Sequence, residues 1–238
     1  MLETAQTDLL GVMPGAILTS CPALPNALAL PFPINGFHGT FLMRVIKMKL
    51  KILEIGHPAL REVAGEVSLE ELATPEIQSF IDNLIETKRY MQGAGLAATQ
   101  VAISKRIFVI EVDDNNPRYP YKPQIPLTVV INPTIESLSG ECFDNYEGCL
   151  SVPNLRGVVS RSLKIRVKGW NRHGKPLDMT IHGISAGSFQ HEIDHLDGML
   201  FPDRVQDTKT FCTWGEFKER YEEKFIADIS GIVEKYGN

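Results

Sequence analysis

Apolar positions change their period along this chain, and the changes mark its elements. From Ile77 onward, Phe80, Ile81, Leu84, Ile85 and Met91 recur at helical intervals and form a single stripe. Thr74-Pro75-Glu76 stands just ahead. It offers a capping hydroxyl, a proline that suits the first helical position, and an acid at the positive end of the dipole. The spacing predicts a helix over about 75–92. Four shorter runs rich in β-branched residues read as strands: Arg106–Val112, Leu127–Asn132, Leu163–Trp170 and Leu177–His182. In the third, Lys164, Arg166 and Lys168 alternate with Ile165 and Val167, so one face is packed and the other wet. Helical spacing returns over Gly183–Leu196, with Gly198 near the end. It appears again over Trp214–Tyr236, where Phe217, Tyr221, Phe225, Ile229 and Val233 make an amphipathic terminal helix. Clustered strands with few helices predict an α+β fold, not a doubly wound sheet.

Order begins near Lys49. Residues 1–42 carry two acids, no Lys or Arg, and prolines at 14, 22, 25, 31 and 33. They read as an irregular N-terminal extension ahead of one domain over 43–238, with its terminal helix from about 214. Met43 or Met48 would each make a natural start. The missing arginines argue against a mitochondrial-type transit peptide, and Leu9–Leu18 is too broken for a secretory signal. No apolar run approaches the length needed to cross a bilayer. A net charge of −5 gives no general attraction for nucleic acid or anionic lipid, and four scattered cysteines are no disulfide scaffold. These features predict reduced thiols and a cytoplasmic setting, with organellar import left open by the extension.

The chemistry concentrates in Gln190-His191-Glu192-Ile193-Asp194-His195. On a helix the two imidazoles lie one turn apart on the same face and can share one metal ion. Glu192 then stands beside the metal, placed to move a proton of a bound water. Two histidines leave a catalytic site one ligand short. Asp197, Asp203, Asp207 and Glu216 are downstream choices; upstream, Cys149 in Glu147-Gly148-Cys149-Leu150-Ser151 offers a thiolate. A buried apolar cysteine is the bland alternative. A third segment, Gly93-Ala94-Gly95-Leu96-Ala97-Ala98-Thr99-Gln100, is a run of small residues ending in an amide. It reads as a linker, or as backbone that lets a ligand approach while Gln100 donates to an oxyanion.

Taken together and in order, GAGLAATQ at 93–100, EGCLS at 147–151 and QHEIDH at 190–195 resemble the peptide deformylase family. Gly56-His57-Pro58-Ala59-Leu60-Arg61 and Ile131-Asn132-Pro133 extend the resemblance, which covers roughly Lys49 to Arg204. It implies antiparallel sheets packed around a central helix that carries the histidine motif. It implies that Cys149, His191 and His195 bind the metal and that Glu192 is the general acid/base. The Gln100 side chain and the Leu150 N–H would stabilise the oxyanion. Backbone around Ala94, Gly95 and Gly148 would pair with the substrate, and Arg156 would lie near its peptide portion. The implied cofactor is one divalent ion, commonly Fe(II), with Zn(II), Ni(II) or Co(II) able to occupy the site. The implied substrates are N-formylmethionyl nascent peptides, which places the enzyme near the ribosome. Gly187 departs from the pattern, since many members carry Arg there, and a glycine is expected to loosen the first turn of the motif helix. Two competitors remain: an ordinary metallopeptidase whose third ligand is not Cys149, and a closed structural metal site, for which His173 and His182 are the nearest spare ligands.

Overall fold

The computed structural model describes residues 48–114 and 116–237. The reading of residues 1–42 as an irregular extension lies outside them. The first elements are a short helix α1 (Leu69–Leu72) and the long helix α2 (Pro75–Tyr90). Thr74 caps α2 as expected, its hydroxyl accepting from the Ile77 N–H at 3.4 Å. Strands β1 (Gly95–Ala97), β2 (Ile107–Val112), β3 (Ile125–Ser137), β6 (Lys164–Trp170) and β7 (Pro176–His182) form a five-stranded antiparallel sheet in the order β1-β2-β3-β6-β7. Strands β4 (Cys142–Cys149) and β5 (Val152–Ser162) pair with each other as a separate antiparallel ribbon. Helix α3 (Gly183–Leu196) follows β7, and a helical tail closes the chain.

Strand β2 explains how the layers are held. All six of its residues are buried, because successive side chains leave a strand on opposite faces and here both faces are covered. Ile107 and Val109 pack with Leu96 and with Ile81, Leu84 and Ile85 of α2. Phe108, Ile110 and Val112 face the other way, onto Ala186, Phe189, Ile193 and Leu196 of α3. Phe108 meets Phe189 edge-on, with ring centroids 5.8 Å apart. Helix α3 also touches β5, so it contacts both sheets. Each fully buried side chain of this kind contributes about 1.5–3 kcal/mol.

Three expectations change. Strand β3 is longer than the predicted Leu127–Asn132, because it passes through an irregularity between Ile131 and Thr134. Asn132 sits there at φ 48, a value asparagine tolerates better than most residues, and its amide bridges the Val67 N–H and C=O at 2.9 Å each. The 93–100 segment is not a linker: it supplies β1 and a 3-10 turn over Ala98–Val101. The terminal helix spans the predicted Trp214–Tyr236 but is not α-helical throughout. It runs as α4 (Trp214–Glu216), a π turn (Phe217–Tyr221) and α5 (Glu222–Tyr236). Its stripe repeats every four residues, longer than the 3.6 of an α-helix, so a regular helix would rotate Phe217 away from Phe225. The wider π turn absorbs the difference, and both rings are buried against Phe143 and Ile184.

Candidate active site and metal centre

Helix α3 carries His191 and His195 one turn apart, their rings perpendicular with centroids 4.8 Å apart. It runs unbroken through Gly187, so the expected loosening is absent from this structure. Cys149 arrives from the end of β4, where the β4–β5 register shifts between Gly148 and Cys149. Its Sγ lies 3.2 Å from His195 Nε2. Ligand atoms of Cys149, His191 and His195 all fall within 4.8 Å of one another. The downstream acids are occupied elsewhere. Asp197 pairs with Arg106, Asp203 with Arg61, Glu216 with Arg220, and Asp207 caps the turn at Lys209. The spare histidines are also away from the site: His182 stacks on Tyr236, and His173 is exposed.

The cluster is braced from behind. Glu147 accepts from Arg161 Nε at 2.7 Å and Nη2 at 2.9 Å, and its Oε2 lies 2.8 Å from His191 Nδ1. That contact turns Nε2 of His191 toward the cluster. Arg161 also donates to Asp194 at 2.7 Å, and Asp194 takes a second pair of bonds from Arg204. Gln190 clips the helix to β5, exchanging bonds with the Ser162 N–H and C=O. Sequence reading gave no role to Glu147, Arg161 or Asp194. The first and last sit inside the recognised motifs, which was the signal available.

Electrostatics favour a cation here. Burial would push the Glu147 carboxyl up, but Arg161 and His191 hold it far below the usual carboxylate range. At His191 burial is outweighed by Cys149 and Glu147, so the site favours positive charge. Burial and the neighbouring His191 keep His195 well below the usual imidazole value, neutral and free to ligate. A soft thiolate with two imidazoles suits a borderline divalent ion, and the residues present fit one. Glu192, 5% exposed, is pushed up to about 7, chiefly by burial, and its Oε2 has no hydrogen-bond partner.

These groups open onto a small cavity of about 40 Å³. Ala94, Gly95, Gln100, Gly148, Cys149, Leu150, His191 and Glu192 all line it and His195 adjoins it through Cys149, so the sequence-predicted residues converge with one exception. Gln100 is fixed: its Oε1 accepts from the Ala97 N–H at 2.9 Å, which turns Nε2 toward Cys149 Sγ (3.4 Å) and Ser151 Oγ (3.0 Å). Gly95 is sterically required, because a Cβ there would lie 2.2 Å from Glu192 Oε1. The exception is Arg156. It is fully buried outside the cavity lining, with its guanidinium against the rings of Trp214 and Phe217. It donates to the Tyr121 hydroxyl at 3.1 Å and to the Tyr146 carbonyl. In this structure Arg156 stands behind the cavity wall and not in its lining.

Residues 49–211 match the family model for polypeptide deformylase. The chain belongs to the peptide deformylase family. Among its relatives, peptide deformylase 2 of Ralstonia nicotianae is 44% identical over 160 residues, 67% of this chain and 89% of the relative. Peptide deformylase 1 of Prochlorococcus marinus is 40% identical over 185 residues, 78% of this chain and 90% of the relative. The fold is similar to the Met-ala-ser-bound class I type b peptide deformylase of Acinetobacter baumannii. That comparison gives a TM-score of 0.65 at 36% identity, covering 67% of this chain and all of the other. The actinonin complex of the Synechococcus elongatus peptide deformylase gives 0.59 at 30% identity, covering 82% and 92%. Antiparallel sheets and a terminal helix are thus family features.

Proposed function

We propose that this chain hydrolyses the N-formyl group from N-formylmethionine at the start of newly made polypeptides, releasing formate. The observation that carries the mechanism is a buried, unpartnered Glu192 carboxylate beside the Cys149–His191–His195 cluster on one cavity. In this reading α3 is the central helix of the enzyme, and Cys149, His191 and His195 hold one divalent ion. When bound, that ion supplies Lewis acidity and lowers the pKa of a water from 15.7 toward about 7. Glu192 accepts the water's proton and delivers it to the leaving amine. Gln100 Nε2 and the Leu150 N–H donate to the formyl oxygen as negative charge develops, each typically worth about 10²–10³ in turnover. Ala94, Gly95 and Gly148 present the backbone along which the peptide lies.

We take Fe(II) as the native ion, since a mixed thiolate and imidazole set accommodates it, with Zn(II), Ni(II) or Co(II) as substitutes. Activity should then decay in air as the iron and Cys149 oxidise. No helix among the described residues is long and apolar enough to cross a membrane, which agrees with a cytoplasmic enzyme working close to the ribosome.

Anaerobic purification with metal analysis, followed by formate release from a formyl-Met peptide, tests the reading. One equivalent of metal and stoichiometric formate are expected. Cleavage of internal peptide bonds without formate would instead identify an ordinary metallopeptidase. Glu192→Ala should keep metal and circular dichroism while losing about 10²–10⁴ in turnover. An active Glu192→Ala enzyme refutes the assigned role.

A further inference from the structure

Beyond the groups already named, one part of the cavity lining consists of Tyr119, Lys122, Asn145, Gly187 and Ser188. It is polar, which the removal of a formyl group does not explain. Lys122 Nζ donates to Ser188 Oγ at 2.9 Å and lies 4.6 Å from the Tyr119 ring centroid. No carboxylate among the described residues forms an ion pair with it. An ammonium has three donors, so two remain for a ligand. Asn145, 3% exposed, donates through Nδ2 to Glu147 Oε1 at 3.2 Å, which leaves its Oδ1 buried without a partner. Gly187 adds no side chain to this lining, and Phe143 and Asn145 pack closely against it. Partial burial lowers Lys122 to about 8.

This inference rests on the deformylase reading, which puts the formyl carbon at Glu192. The first side chain of the peptide is then only one bond sequence away, from carbon through nitrogen to Cα, and the remaining room is the Lys122 end. We propose that Lys122, with Ser188 and Asn145, makes this end a recognition site for an oxygenated first side chain of methionine's length, namely methionine sulfoxide. A thioether offers Lys122 only a weak acceptor. A sulfoxide is a dipole with negative oxygen and positive sulfur. Its oxygen accepts from Lys122 Nζ, an acceptor that the thioether lacks. Oxidation turns methionine from apolar to polar, which an apolar pocket would reject.

The test uses the metal-loaded full chain and the peptides Met-Ala-Ala and methionine-sulfoxide-Ala-Ala. Calorimetry gives their affinities, and formate release gives kcat/KM for their formylated forms. In the wild-type protein the sulfoxide should bind at least as well as the thioether. Lys122→Met should shift the ratio about tenfold toward the thioether, the scale of one charge-assisted hydrogen bond, while Lys122→Arg should largely retain it. Ser188→Ala, which removes the partner that aims Lys122, should move the ratio the same way by a smaller factor and serves if Lys122→Met fails to fold. A wild-type preference for the thioether, or a ratio unmoved in the folded variants, overturns the proposal. Sulfoxide selectivity in binding without formate release would overturn the deformylase reading alone. Formate release with a flat ratio would overturn only this inference.

Discussion

Glu192 is placed by a residue with no side chain. Gly95 on β1 leaves room for the Glu192 carboxyl where it lies, since a Cβ would come within 2.2–2.7 Å of its Oε1, Cδ and Cγ. Gly95→Ala should therefore displace the carboxyl by about an ångström and lower kcat by roughly 10²-fold. Metal content should be unchanged; parallel loss of metal would show that the strand itself had moved. Glu147 acts at one remove, through His191. Glu147→Gln weakens the contact to His191 Nδ1 and leaves the buried Arg161 short of charge compensation. Metal affinity should fall about 10- to 100-fold in a chelator competition, and the apo protein should also melt earlier. An unaltered affinity would mean that the imidazole needs no such brace.

At the scale of elements, legibility followed how far apart the cooperating residues stand in the chain. His191, Glu192 and His195 were readable because one helical turn joins them, and Cys149 and Gln100 because each stands in a short ordered motif. The Glu147–Arg161–Asp194 chain was not, since it runs from β4 to β5 to α3 and depends on register. Strands β4 and β5 escaped the periodicity argument for a related reason. Their burial alternates, yet the inward positions of β4 hold Asn145 and Glu147 beside Phe143 and Cys149. Functional polar groups stand where an ordinary strand would show apolar letters, so the pattern disappears from the sequence while surviving in space. The complete enclosure of Arg156, a charged residue, was likewise not legible in the sequence, since it depends on Trp214 and Phe217 far along the chain.

One pairing between elements carries a pH signature. Glu111 on β2 accepts from Arg89 at 2.7 and 2.8 Å and from the buried Lys88 at 2.8 Å, tying α2 to the sheet. The Arg89 bonds, against burial and with help from Lys88, hold its carboxyl down at about 2. A depressed carboxylate stabilises the fold above its unfolded value and loses that contribution as pH falls through about 4.5 to about 2. The loss amounts to about 3 kcal/mol at most. Urea melts from pH 7 to 2.5 should show this acid limb in the wild type. In Glu111→Gln the limb should flatten and the stability at pH 7 should be lower. A parallel pair of curves would assign the acid sensitivity to another carboxylate.

Over the whole molecule, the five-stranded sheet is filled from both sides, by α2 on one face and α3 on the other. Its two ends are treated differently. Strand β7 is seven residues long and begins at a proline, with alternate residues exposed. Strand β1 at the opposite end is three residues long and wholly buried. An open sheet edge invites pairing with any extended chain, and a long one is an aggregation hazard. An edge of three residues at the bottom of a cleft is a narrower invitation. It has room for the free end of a polypeptide but not for the edge of a second sheet. The recess proposed to receive a nascent terminus would thus also guard this protein against adding strands from copies of itself.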